Sequence, residues 1–507
     1  MTRKINRLLV TVFFTLVILG LLLVVKGDTG DQGINFQTDL STTLGGPFEG
    51  SNSTSRYALV VALVKNHTFF FSTDLAKFAA PDVVYYQGKY FSLFTPGVSL
   101  VAAPFYWLGL KFQAPQIFAY SVNLVFAVFN LCLIALITRK LGANWPIYLL
   151  SGFIFTFATN VLPYSLTLTQ HPGTTTILLL SLLITFREPT FSTNISLGIL
   201  LGAGILFDIP NLLLLLPVAF YTLGLHFSIT TTRSRYKISF RPVFIGFILG
   251  ILPPILFFAS YNYQTAGSYF KISQTIGRTE KVTDETSAQI AQEPVPHTPL
   301  EPQKLALDTR SQLNGLYTLL IRNERSWLYY SPVLLVGVLG VVLASRDPKI
   351  ARFSILSLSI IAANIVTYSM FGDPWGGWSF GPRYLIPSAA VLSVFLGYAF
   401  IKLKANLVFF ILFLLLSLYS LYISSVGAIT TVLIPPKIEA ETLSTPIPYT
   451  YEYNFQLIKK NFSGSLFYNT YLKSLLSSVS YLNYYVTGLY IVTVSLAVLG
   501  LQPYDRH

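Results

Sequence analysis

The chain has 507 residues, of which 53% are hydrophobic and only 11% charged, with a formal net charge of +13. A soluble domain of ordinary composition carries about 25% charged residues, so this chain is not a soluble globular protein and most of it belongs in lipid. Its one cysteine, Cys132, excludes an intramolecular disulfide and a cysteine metal site.

The first apolar run, 8–25, follows Arg3, Lys4 and Arg7. It is longer than the h-region of a signal peptide and no A-x-A site follows it, so it reads as a retained first span. A long polar segment, 26–116, comes next, with helical signals at 55–66 and 95–112. The first places Tyr57, Val60, Val61 and Val64 on one face; the second opens on Pro-Gly, is apolar and ends at Lys111. Both read as helices lying at the membrane interface. Further apolar runs fall at 117–137, 145–161, 174–186, 195–208, 210–227, 243–260, 329–344, 353–370, 385–401, 406–426 and 486–501. The chain is thus expected to be an all-α polytopic membrane protein of about a dozen transmembrane helices.

Orientation follows from the bases near span ends. With the N-terminus in the cytoplasm, the inside segments hold 16 of the 34 Lys and Arg residues and three of the 21 Asp and Glu residues. The whole formal excess then lies inside, both termini are cytoplasmic, and three long segments (26–116, 261–328 and 427–485) face outward. The stretch 280–303, rich in Glu, Thr, Gln and Pro, reads as a mobile outer loop. Two units are expected: a transmembrane module over 1–426, and an outer loop with a final span over 427–507.

Polar clusters at the outer lip are costly and therefore candidates for function. The first holds Arg56, Asp74, Asp82 and the stretch 87–97 with Lys89 and Tyr90, where a carboxylate beside a cation could serve as a general base. The second is His171, where the helix start near Pro172–Thr174 offers free N–H groups to a phosphate. The third holds Arg322, Glu324 and Arg325 before a span, against the positive-inside bias. The fourth, 371–387, combines Asp373, Trp375, Trp378, four glycines and Arg383. Glycines let backbone approach a ligand, tryptophans stack on sugars, and an arginine grips phosphate bidentately. Asp208, in the turn Asp208-Ile209-Pro210-Asn211, reads as a helix cap. Walker, H-E-x-x-H and G-x-S-x-G motifs are absent, and no metal site is evident.

The ordered segments SRYALVVALV, YYQGKYFSLFTPGVSLVAAPFYWLG, YNYQTAGS, NERSWLYYSP and WGGWSFGPRYLIP resemble, together, the prokaryotic polyprenyl-phosphate-sugar-dependent glycosyltransferases of the GT-C fold. That group includes the protein O-mannosyltransferase-like and lipid A aminoarabinose transferase-like enzymes of glycosyltransferase family 39 type. The resemblance runs to about residue 400 and leaves 427–485 unmatched. It implies an enzyme of the inner membrane that takes a sugar from a polyprenyl-phosphate donor at the outer face. Inversion at the anomeric carbon is expected, with a first-loop carboxylate as base and a protein, lipid or glycan as acceptor. It implies no further cofactor and no nucleic-acid partner. On it, Arg383, Arg56 and Lys89 hold the donor, with His171 and Arg325 as further phosphate candidates. Trp375 and Trp378 line the sugar pocket, with Tyr90, Glu324 and Asp373 beside them. The family often carries an acidic pair just before the Arg-Tyr of the first interfacial helix. Here that stretch reads Asn52-Ser53-Thr54-Ser55-Arg56-Tyr57. Asp82 is therefore the first candidate base, followed by Asp74, Asp39 and Asp31. A lipid or oligosaccharide transporter or flippase, and a non-catalytic scaffold, are the competing readings. The near absence of mid-span charge and of related halves counts against the transporter.

Overall fold

A computed structural model describes residues 2–27, 44–232, 235–279, 282, 310 and 312–502. Asp31, Asp39 and nearly all of 280–303 lie outside the described residues. In chain order the first elements are α1 (Thr2–Leu22), α2 (Ser51–Lys65), β1 (Phe70–Phe71), α3 (Thr73–Ala79), β2 (Val83–Tyr86), β3 (Lys89–Ser92), α4 (Gly97–Lys111), α5 (Pro115–Lys140), α6 (Trp145–Phe157), α7 (Val161–Ser165), α8 (His171–Ile184), α9 (Phe191–Phe207), α10 (Asn211–His226), β4 (Phe227–Thr232), β5 (Arg235–Phe240) and α11 (Ile245–Ala266). The main later helices are Leu334–Ser345, Ala351–Ser369, Ile386–Leu403, Leu407–Ile429 and Ser478–Leu501. Each of the twelve apolar runs coincides with a helix. Six helices among the described residues are long and apolar enough to cross a bilayer, and six more are apolar but shorter.

The helix ends follow from local chemistry. Asn144 and Asn406 cap the helices after them by accepting from Ile147 N and Phe409 N, and Thr190 and Thr193 form a reciprocal capping box on α9. Gly267, at φ +70°, ends α11 in the left-handed conformation that a side chain would resist. Close packing of α9 on α11 depends on Gly198 and Gly250. A Cβ at either would lie 2.2 Å from a carbonyl oxygen of the other helix, Phe247 O or Ile195 O.

The loops separate into two sets at opposite ends of the bundle. At one end Asp347 accepts from Tyr398 Oη at 2.9 Å and faces Lys402 Nζ at 3.4 Å, and Asn144 Nδ2 donates to Gly500 O. The β4–β5 hairpin connects α10 to α11 at this end. The three long segments expected outside meet at the other end. There Thr279 N donates to Val83 O at 2.7 Å, and Ser379 N donates to Ile434 O at 2.9 Å.

Helix α4 lies across this end of the bundle and does not pass through it. Gly97, at its start, abuts Leu206 O at the end of α9, and Gly109, near its finish, abuts Pro115 at the start of α5. Both ends of α4 therefore sit at the same end of the bundle. Helix α2 packs on it, with Ser99 Oγ donating to Arg56 O at 2.9 Å and the Tyr57 and Tyr106 rings 5.7 Å apart. The segment between these helices, read as loop from the sequence, holds a small antiparallel sheet of order β1-β3-β2. Its hairpin turns at Gln87 and Gly88, both at positive φ, the conformation of a type I′ turn.

A buried ion pair ties this end together. Lys26 Nζ lies 2.6 Å from Glu49 Oε1, with both side chains essentially inaccessible. Glu49 also accepts from Gly45 N at 2.8 Å, Val432 N at 3.1 Å and Thr431 Oγ1. One carboxylate thus joins the end of the first helix, the first loop and the segment after Leu407–Ile429. Removing one partner of a buried pair strands the other charge at a cost of about 3–5 kcal/mol. Glu49→Ala should therefore lower the thermal unfolding temperature in detergent sharply, and the double variant Lys26→Met/Glu49→Gln should recover most of the loss.

Candidate active site

The end of the bundle that carries the long loops holds a cavity of about 1000 Å³. Each wall comes from a different part of the chain. The first loop supplies Ser51, Arg56 and Asp82, α7 supplies Tyr164, the turn before α8 supplies Gln170, and the turn after α9 supplies Asp208. Gln274 and Arg278 follow α11; Asp373, Trp378, Arg383 and Tyr384 come from the Gly-rich turn; Glu439 comes from the segment beyond residue 430.

Asp82 is positioned by the backbone around it. Its N–H donates to Ala79 O at the end of α3, and its carbonyl accepts from Leu93 N beyond β3, at 3.1 and 3.3 Å. The side chain is 8% exposed. Ser51 Oγ donates to its Oδ2 at 2.7 Å. Burial raises the Asp82 pKa, opposed by the Ser51 hydrogen bond and by the charges of Arg278, Arg56 and Arg383. A carboxylate whose proton affinity is raised, and which lines a cavity, is suited to general-base work.

Arg56 is 1% exposed. Its Nη1 donates to Asn52 O at 2.8 Å and its Nη2 to Gln170 Oε1 at 2.7 Å. The guanidinium carbon sits 4.0 Å from the centre of the Phe94 ring. Nε is buried with no partner among the described residues. Burial lowers the pKa to about 10, which leaves the group cationic at neutral pH. Gln170 Nε2 donates in turn to Asp208 Oδ2 at 2.9 Å. Burial raises the Asp208 pKa, offset by Arg56 and by the Gln170 hydrogen bond.

Arg383 opens the span that continues through Ile386–Leu403. Gly376, at φ +75°, a conformation that side chains resist, lies so close that a Cβ there would be 3.0 Å from Arg383 Nε. That Nε has no hydrogen-bond partner among the described residues. Asp373 Oδ1 accepts from Gly376 N at 2.9 Å, and burial raises its pKa against the pull of Arg383. Trp378 Nε1 donates to Glu439 Oε2 at the mouth.

Of the residues singled out from the sequence, Asp82, Arg56, Arg383, Asp373 and Trp378 line this cavity. The others stand elsewhere. Asp74 is exposed in the first turn of α3, where it meets the helix N-terminus. Lys89 is exposed over the Phe70 ring, 4.3 Å from its centre. Tyr90 is buried against Tyr85 in the sheet. His171 is buried behind the wall, edge-on to Tyr164 and Tyr384. Arg325, expected at a phosphate, is completely buried and bound to main-chain carbonyls. It donates to Trp375 O, Glu324 O and Ile434 O at 3.0, 2.7 and 2.9 Å, pinning the Gly-rich turn to the segment after residue 430. Glu324 accepts from Lys437 N at 2.9 Å and serves the same junction. Trp375 contributes its carbonyl to Arg325 and is not part of the lining. Among the described residues no group of three or more His, Cys, Asp and Glu side chains gathers to hold a metal ion.

Sequence reasoning passed over Gln170, Arg278 and Glu439, and read Asp208 as a cap. Its carboxylate instead faces the cavity and holds Gln170. An acid in a turn closing a long apolar helix was the available signal.

No protein-family model matches the chain, and no curated protein matches it. Solved structures do. ArnT from Cupriavidus metallidurans bound to undecaprenyl phosphate aligns with a TM-score of 0.50 at 12% identity, over 97% of this chain and 77% of that one. The chain has the GT-C fold. The apo state of the same ArnT aligns at 0.48 and 12% identity, over 98% of this chain and 78% of that one. The archaeal oligosaccharyltransferase AglB from Archaeoglobus fulgidus, in complex with an inhibitory peptide and a dolichol-phosphate, aligns at 0.43 and 13% identity, over 94% and 59%.

Asp82 makes stability depend on pH. Folding raises its pKa, so the folded protein holds that proton more tightly than the unfolded chain. The cost of the buried charge is absent below the unfolded value of about 3.9 and fully present above the folded one. Asp82→Asn should therefore leave the unfolding temperature unchanged or raised at neutral pH, and any gain should vanish toward about pH 4. Thermal unfolding of both proteins at the two pH values checks this.

Proposed function

We propose that this GT-C chain is a membrane glycosyltransferase. It transfers a sugar from a polyprenyl-phosphate-linked donor to an acceptor at the non-cytoplasmic face, with inversion at the anomeric carbon. The observation that carries this reading is the meeting, in a single cavity, of a buried carboxylate, Asp82, with two arginines, Arg56 and Arg383, whose Nε atoms have no partner among the described residues. A glycosyl phosphate needs a cationic site for its leaving group and a base for the incoming hydroxyl or amine. Asp82 takes the acceptor proton as the nucleophile attacks the anomeric carbon. The bond to the phosphate oxygen breaks on the opposite face, and Arg383 and Arg56 stabilise the charge that develops there. Trp378, beside the Gly-rich turn, offers a ring face to the sugar, and Asp373 supplies an acceptor to its hydroxyls. The bound undecaprenyl phosphate of the ArnT structure gives the same chemical class of ligand in the same fold. The asymmetry of bases between the two sets of loops supports a cavity on the side away from the cytoplasm.

The test uses purified protein in nanodiscs with a panel of radiolabelled polyprenyl-phosphate sugars. Arg383→Ala should lose donor binding and turnover together. Asp82→Asn should keep donor binding and lose turnover by at least about a hundredfold, the lower range for removal of a general base. Donor binding unaffected by Arg383→Ala, or full turnover in Asp82→Asn, would contradict these roles.

A further inference from the structure

Among the described residues Arg56 reaches no carboxylate directly. The carbonyl oxygen of Gln170 accepts from its Nη2, and the amide nitrogen of the same side chain donates to Asp208. A neutral amide is thus inserted between a buried cation and a buried anion, all three at most 9% exposed. A carboxylate in the place of Gln170 would form a close ion pair with the guanidinium and spend its charge. The amide instead fixes the guanidinium plane through one oriented hydrogen bond and leaves the positive charge for a ligand. The remaining restraints agree: Asn52 O takes Nη1, Phe94 stacks beneath the plane, and Nε is left without a partner in a residue that lines the cavity.

Asp208 is itself well anchored. Its N–H donates to Gly204 O and its carbonyl accepts from Asn211 N, at 3.1 and 3.2 Å. Asn211 Nδ2 donates to Thr174 Oγ1 and Gly204 O, both at 2.9 Å, fastening the turn to α8 and α9. The carboxylate therefore determines which way the Gln170 amide points. A carboxylate accepts but does not donate, so the Gln170 nitrogen faces Asp208 and its oxygen faces Arg56.

We propose that Asp208 and Gln170 are positioning residues that hold Arg56 with Nε presented to a phosphoryl oxygen of a lipid-linked phosphate. This rests on the donor reading given above and adds to it the pair that makes Arg56 selective for the phosphate. The pair touches Arg56 and not the reacting atoms, so its effect is on recognition of the phosphate and not on the acceptor proton.

The experiment measures binding of undecaprenyl phosphate and of undecaprenol to nanodisc-embedded protein and takes the ratio of the two affinities. The alcohol has the same chain without the phosphate, so general damage to the fold weakens both and leaves the ratio in place. Wild type should prefer the phosphate. Asp208→Asn keeps an oxygen that accepts from Gln170 while deleting a negative charge, so the preference should be kept or strengthened. Asp208→Ala and Gln170→Ala release Arg56 and should each reduce the preference by about tenfold, the scale of one hydrogen bond to a charged group. Gln170→Glu, which pairs Arg56 directly, should reduce it at least as far. If Asp208→Asn and Asp208→Ala give the same ratio, or the alanine variants weaken phosphate and alcohol alike, the positioning role is overturned. A wild-type preference that is lost in Arg383→Ala but untouched in all four variants would overturn this inference and leave the donor reading standing. Absence of any preference in wild type would overturn both.

Discussion

The buried pair of Lys26 and Glu49 is the constraint on which the loop end of this protein depends. With one cysteine in the chain, no disulfide staples the long loops, and packing alone would leave their polar backbone unsatisfied. Glu49 answers both problems. It neutralises Lys26 beyond the end of the first helix and takes hydrogen bonds from Gly45, Thr431 and Val432. The start of α2, which carries Ser51 and Arg56, follows immediately. The segment after residue 430, which carries Glu439 and the carbonyl that accepts from Arg325, leaves from the same point. Two walls of the cavity are thereby referred to one fixed carboxylate.

Around that anchor the molecule concentrates charge where the bundle itself holds little. Three arginines and several carboxylates share one cavity. Arg325 is instructive because it lies so near and does something different. Its guanidinium is consumed by carbonyls from three segments, so it shapes the turn that Arg383 needs and has no donor left for a ligand. Arg56 and Arg383 each keep an Nε with no partner among the described residues. The difference between a structural and a ligand-binding arginine is thus set by how many carbonyls the backbone directs at it, which residue identity does not reveal.

That contrast marks the limit of what the sequence made legible. Twelve apolar runs, the charge asymmetry and the Pro-Gly start of α4 were enough for the helices, including α2 and α4, and for the separation of the loops into two ends, because each rests on local pattern. The Gly-rich turn advertised Arg383, Asp373 and Trp378 through composition. The small sheet went unread because β2 and β3 are four residues each and sit inside a loop whose aromatic content suited an interface equally well. Asp74 and Asp82 could not be ranked by pattern alone; burial and the Ser51 hydrogen bond separate them. Gln170 and Asp208 were missed for the same reason. They are 38 residues apart, and only the packing of α8 against α9 brings their side chains to 2.9 Å.

The central claim is that this cavity receives the phosphate of a lipid-linked donor. A cryo-electron-microscopy structure of the protein in nanodiscs loaded with undecaprenyl phosphate tests it most directly. Density for the phosphate should appear inside the cavity, within hydrogen-bond reach of Arg383 and Arg56 and on the side of the sugar pocket opposite Asp82. A lipid phosphate bound elsewhere on the protein, with the cavity and its arginines unchanged, would contradict it.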